Sequence, residues 1–155
     1  MIEKKLDAMA LFNAWGALDS GASAQLRRVT EPDELRDIPA FYRLVQPFGW
    51  QEKDNQWALS RMVFCLSAGK GVIKHTQENI SIGRALATTG KINERRIFQF
   101  VRADHPSDMV QLRRLLIHCE PTLNWEHFAQ QLQHWGRYAK RQLLEDFVLA
   151  TPKKD

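Results

Sequence analysis

Apolar residues in this chain recur at three- and four-residue spacings along almost its whole length, while the alternation of a half-buried strand is nearly absent. That periodicity restricts the chain to an all-α fold, a helical bundle with one apolar stripe per helix turned inward. The spacing predicts a first helix over residues 4–18, with Met9 or Leu11, Phe12, Trp15 and Leu18 on one face, ended by Asp19-Ser20-Gly21. Short helices over 22–28 and 40–46 follow, separated by the acidic segment 30–34. Asp54 is expected to cap a long central helix running to Gly69, apolar around most of its circumference.

Residues 70–79 are polar and patternless and read as a surface loop. Ser81 then suits the start of a helix closed by Gly90, and Asn93-Glu94 opens another through Ile97, Phe98 and Val101 that His105-Pro106-Ser107 breaks. A helix over 108–118 places Met109, Leu112, Leu116 and Cys119 on one stripe. Asn124 caps a helix reaching Trp135, and a last helix covers 137–149. The expectation is one all-helical domain over 1–155, with sub-bundles at about 1–73 and 80–155. Its core should include Trp15, Phe41, Met62, Leu66, Leu112, Leu116 and Phe147.

Composition excludes several classes. The chain has 155 residues, 44% of them apolar, and a chain of this length buries about two-thirds of its unfolded surface without metal or disulfide staples. Cys65 and Cys119 have no CxxC spacing and read as small core residues in a reducing cytoplasm. The longest apolar runs, at 8–12 and 62–66, fall far short of the ~20 residues of a membrane span. Residues 1–7 lack a signal peptide's apolar stretch, so the expected location is the cytoplasm with no membrane association.

No catalytic constellation stands out. Ser67-Ala68-Gly69-Lys70-Gly71 lacks P-loop spacing and reads as a helix terminus. His127 and His134 share a helix face, and His118 adjoins Cys119, but no third metal ligand accompanies them. No serine has a nucleophile-elbow context and no carboxylate pair is singled out, so neither an enzyme nor a cofactor is expected.

Charge placement carries more information. The net charge is +4, and residues 1–78 hold ten basic against ten acidic side chains, so the whole excess lies C-terminal to them. Most of the bases are arginines, which fork onto phosphates and are weakly hydrated. Arg137, Lys140 and Arg141 share one face of the last helix, off the side of Leu143, Leu144, Phe147 and Val148. Arg95, Arg96 and Arg102 emerge from one helix and Arg113 and Arg114 from the next. If these faces converge they form a groove following a phosphate backbone without reading bases. The competing readings are pairing with Glu94, Asp104, Asp108, Glu145 and Asp146, and a helix-turn-helix at 93–118. Trp15, Trp50, Trp57, Trp125 and Trp135 could stack on bases but at helical spacing read as core.

Six strings resemble the CasB family, the small subunit of the type I-E CRISPR surveillance complex Cascade. They are Arg36-Asp37-Ile38-Pro39-Ala40-Phe41-Tyr42-Arg43-Leu44-Val45, Arg61-Met62-Val63-Phe64-Cys65-Leu66-Ser67-Ala68-Gly69-Lys70, Gly83-Arg84-Ala85-Leu86, Asn93-Glu94-Arg95-Arg96-Ile97-Phe98, Val110-Gln111-Leu112-Arg113-Arg114-Leu115-Leu116 and Gln142-Leu143-Leu144-Glu145-Asp146-Phe147-Val148-Leu149. The resemblance runs in order from about Leu6 to Thr151. It implies a non-catalytic helical subunit that pairs with a second copy of itself and contacts CasC backbone subunits and the CasA large subunit. It also implies that basic surfaces hold an R-loop open along target and displaced strands, with guide RNA supplying specificity. The candidate nucleic-acid-binding residues are Arg27, Arg28, Arg61, Lys70, Arg84, Arg95, Arg96, Arg102, Arg113, Arg114, Arg137, Lys140 and Arg141. Without the resemblance, the residues leave open a purely structural spacer, a helix-turn-helix protein and a hydrolase.

Overall fold

A computed structural model describes residues 6–151. Its α-helices are α1 (Ala8–Ala17), α2 (Ser20–Arg27), α3 (Pro39–Val45), α4 (Lys53–Leu66), α5 (Ile82–Thr89), α6 (Glu94–Val101), α7 (Ser107–Cys119), α8 (Trp125–Gln133) and α9 (Arg137–Ala150). Two short 3-10 turns, Pro32–Asp37 and Gln46–Phe48, flank α3. The fold is all-α, as the periodicity requires.

Side-chain caps set several helix starts, because each satisfies an amide that has no partner inside the helix. Ser81 accepts from the Arg84 amide at 3.2 Å, Asn93 from Arg96 at 3.0 Å and Asn124 from His127 at 3.1 Å. Asp7 accepts from the Ala10 amide at 3.0 Å and starts α1 at Ala8, later than the periodicity suggests; residues 4 and 5 of the expected helix lie outside the described residues. Asp19 does the same for α2. Asp54, expected as the cap of α4, instead sits in its first turn, where a carboxylate still favours the helix dipole. Helix α8 stops at Gln133, short of the expected Trp135.

The segment 70–79 is more ordered than its lack of pattern suggests. Its Lys74–His75, strand β1, pairs in parallel with β2, Thr122–Leu123, in the register Lys74 to Thr122 and His75 to Leu123. Two residues are too few to carry a period, so such a pairing leaves no sequence signal. His75 Nδ1 then accepts from the Trp125 amide at 3.0 Å, and Trp125 Nε1 donates to the Ala8 carbonyl at 2.8 Å. These bonds link the segment, α8 and α1.

Helix α4 is the central element and packs on α1, α7, α8 and the first 3-10 turn. Its Ala58, Leu59, Ser60 and Met62 to Leu66 are all buried. Every core residue expected from periodicity is buried: Trp15, Phe41, Met62, Leu66, Leu112, Leu116 and Phe147. Leu66→Ala and Leu116→Ala should each lower stability by about 2 to 5 kcal/mol through lost transfer energy and a residual cavity. Denaturant melts check this, and a parental midpoint in either variant would place that side chain outside the core.

Helix α5 lies against α9 more extensively than any other pair of elements meets. Gly83 permits it: a Cβ there would stand 2.3 Å from the Leu143 carbonyl oxygen and 2.8 Å from Asp146 Cβ. At this point the two backbones approach with no side chain between them.

Candidate nucleic-acid interface

Helix α6 buries Ile97 and Phe100 and exposes Arg95, Arg96, Phe98, Gln99 and Arg102. Arg95, Phe98 and Arg102 fall on one helical face and line a cleft with Gln99 and Ala103. A second cleft, where α6 meets α7, is lined by Arg96, Gln99, Phe100, Gln111, Arg114 and Leu115. Gln99 borders both clefts, so Arg95, Arg96, Arg102 and Arg114 belong to one continuous surface. Their guanidinium groups make no ion pair: among the described residues the single salt bridge is Lys140 to Asp108. Glu145 and Asp146, expected as arginine partners, accept instead from Gln142 Nε2, both at 2.9 Å.

Three of the sequence candidates face inward. Lys140 Nζ lies 2.9 Å from Asp108 Oδ2 and donates to the Ala103 carbonyl at 2.8 Å, with its side chain only 12% exposed. The expectation that Arg137, Lys140 and Arg141 form one solvent-facing stripe is thereby corrected. A long ammonium stem reaches a buried carboxylate from a helix face that spacing alone assigns to solvent. Arg113 donates to Ser67 Oγ at 3.0 Å and to the Val29 carbonyl, and its guanidinium lies 4.3 Å from the Phe64 ring centroid. Arg61 donates to the Leu132 carbonyl at 3.0 Å, satisfying one of the last carbonyls of α8. Burial lowers the pKa of both arginines, yet a guanidinium titrates so high that both stay charged.

Asp108 organises this interior. It is 2% exposed and accepts from Lys140, from Trp135 Nε1 at 2.9 Å and from the Met109 amide at 2.7 Å. Burial alone pushes its carboxyl pKa up. The hydrogen bonds from Lys140 and Trp135, the lysine charge and the Met109 amide together outweigh burial and hold it below the ordinary carboxylate value. The network ties α7 to α9 and to the end of α6. It therefore ties the first turns of α9, which carry exposed Arg137 and Arg141, to Ala103 beyond the end of α6.

The remaining candidates are exposed but stand elsewhere or alone. Arg27 and Arg28 close α2. Lys70 donates to the Leu18 carbonyl at the end of α1. Arg84 lines a separate cleft with His127, Gln142 and Asp146. The expected apolar pattern through Ile97, Phe98 and Val101 is corrected here, since Phe98 and Phe100 lie about equally far from the line of Ile97 and Val101 on the helix. The structure buries Phe100 and leaves Phe98 49% exposed. Burial pushes the Cys65 thiol pKa up, which leaves it a neutral packing group. Among the described residues no three His, Cys, Asp or Glu side chains group as metal ligands, and no helix is long and apolar enough to cross a membrane.

Fold and surface together define a small all-α protein with an exposed arginine face that makes no ion pair among the described residues. The family profile of CRISPR-associated protein Cse2 matches residues 22–147. The chain is 63% identical over 155 residues to CRISPR system Cascade subunit CasB of Escherichia coli strain K12, covering 96% of this chain and 97% of that protein. The chain belongs to the Cse2 family, which includes CasB. It also matches a chain in the crystal structure of E. coli Cascade bound to a PAM-containing dsDNA target, with TM-score 0.93 and 66% identity over 95% of this chain and 97% of that one. CasB from Thermus thermophilus, at 17% identity, covers 92% of this chain and 98% of its own with TM-score 0.68, a likeness of fold. The relative CasB is a structural subunit of Cascade rather than an enzyme.

Proposed function

We propose that this chain is the small subunit of a cytoplasmic Cascade complex and steadies the R-loop by holding nucleic-acid backbone on its basic surfaces. The observation that carries this reading is the set of four arginines on α6 and α7, exposed and without an acidic partner among the described residues. R-loop formation exchanges a DNA duplex for a hybrid of similar stability, so modest backbone contacts shift its balance. Guide RNA pairing supplies sequence, and this surface supplies none. Its partners are a second copy of the chain, CasC backbone subunits, the CasA large subunit, guide RNA, and the target and displaced strands. What supports this reading is that the CasB homologue is a Cascade subunit and that the matched E. coli Cascade is bound to a dsDNA target.

Titrating the full chain with oligonucleotides in rising salt tests the reading. Affinity should be equal for scrambled sequences, and the log of the binding constant should fall with the log of salt at a slope of about −3 to −4 if four phosphates are contacted. Binding that is absent at low salt, or indifferent to salt, would leave a spacer whose arginines face protein. Strong discrimination between sequences would favour the helix-turn-helix reading.

A further inference from the structure

The structure assigns Phe98 as a stacking platform for one unpaired nucleobase, with Arg95 and Arg102 on the flanking phosphates. This deepens the backbone-binding reading and rests on it. The ring is 49% exposed, although its neighbours Ile97 and Phe100 are fully buried, so α6 holds it outward while its core face is already filled. The Phe98 cleft is lined by Arg95, Gln99, Arg102 and Ala103 and by no acid. An exposed apolar ring rimmed by cations suits a partner that joins a flat apolar face to negative charge, the composition of a nucleotide. Arg102 lies 5.4 Å from the ring centroid, close enough for a cation–π contact that orients the ring. Arg95 and Arg102 are separated by about 10 Å of helix, one on each side of Phe98.

Trp57 offers the contrast. It is similarly exposed at 48%, but Arg36, Arg61 and His105 all lie within 6.0 Å of its ring, so its faces are occupied within the fold. Among the described residues Phe98 has Arg102 alone beside it in that way. A base inside a duplex has both faces covered by its neighbours, so a Phe98 stack requires an unpaired strand.

The test uses the full chain at low salt with three probes of equal length: single-stranded oligo(dT), a chain of abasic deoxyribose phosphates, and duplex DNA. Phe98→Ala should weaken oligo(dT) binding about tenfold and leave the other two probes unchanged. Phe98→Leu, which keeps apolar area but lacks a ring face, should behave like alanine, and Phe98→Tyr should restore binding. Parental oligo(dT) affinity in Phe98→Ala overturns the stack, and salt-dependent binding of the abasic chain then leaves the backbone reading standing. An equal loss on all three probes, or full activity with leucine, also overturns it. Parental affinity combined with failure to enter the assembled complex places the ring against a protein subunit, which overturns it too. A parent chain that binds none of the probes removes both readings.

Discussion

Alanine at Asp108 lowers the unfolding free energy by about 3 to 5 kcal/mol, the usual cost of removing one partner from a buried ion pair. Three donors converge on this carboxylate, and truncation leaves the Lys140 ammonium without its counter-charge and Trp135 Nε1 without an acceptor. Denaturant melts at neutral pH measure the loss. The acid limb separates charge from packing. The folded carboxyl is held below its ordinary value of about 3.9, so its stabilisation is complete above that pH and is lost as pH falls through the folded value. The parent should therefore lose stability on acidification by a component that Asp108→Asn lacks. A variant with a parental midpoint at pH 7 would mean that the pair contributes nothing net.

The other large effect concerns binding. Reversing Arg95, Arg96, Arg102 and Arg114 to glutamate should leave the fold intact, because all four are exposed and glutamate is a good helix former. Arg95 and Arg96 also lie in the first turns of α6, where negative charge suits the helix dipole. Four cations become four anions on one surface, so affinity for DNA should fall on the order of a hundredfold or more at low salt. In an assembled complex, guide RNA loading should survive while permanganate reactivity of the opened target shows a shorter R-loop lifetime. An unchanged lifetime in a normally assembled complex would move the strand-holding role to Arg137 and Arg141. Those two must be reversed without Lys140, since Lys140→Glu would bring a second carboxylate to Asp108 and unfold what it is meant to probe.

Periodicity and caps made most of the architecture legible: Ser81, Asn93 and Asn124 stand where short polar side chains before apolar runs put them. The stripe of Met109, Leu112, Leu116 and Cys119 is buried as its spacing requires. The candidate site was legible as a class of arginines and not as a surface. Spacing assigns a helix face, but the direction of a long cationic stem depends on what lies within its reach. Asp108 turns Lys140 inward from the face of Arg137 and Arg141, and Ser67 with the Val29 carbonyl does the same to Arg113. That Phe100 rather than Phe98 is buried, against the pattern through Ile97, Phe98 and Val101, follows likewise from the packing of α6 on α7 and α9, partners that a local pattern does not contain.

The crossing at Gly83 gives this face a mechanical character. Side-chain layers between helices act as compliant bearings, because rotamers shift and let one cylinder slide over another. At Gly83 there is no such layer between α5 and α9, because no side chain fits beside the Leu143 carbonyl. Under the proposed strand-holding role, a pull on Arg141 meets this close approach, which resists sliding of α9 along α5. The load passes at one end into the glycine crossing and at the other through Lys140 into α7, whose Leu112 and Leu116 sit in the same core as α4.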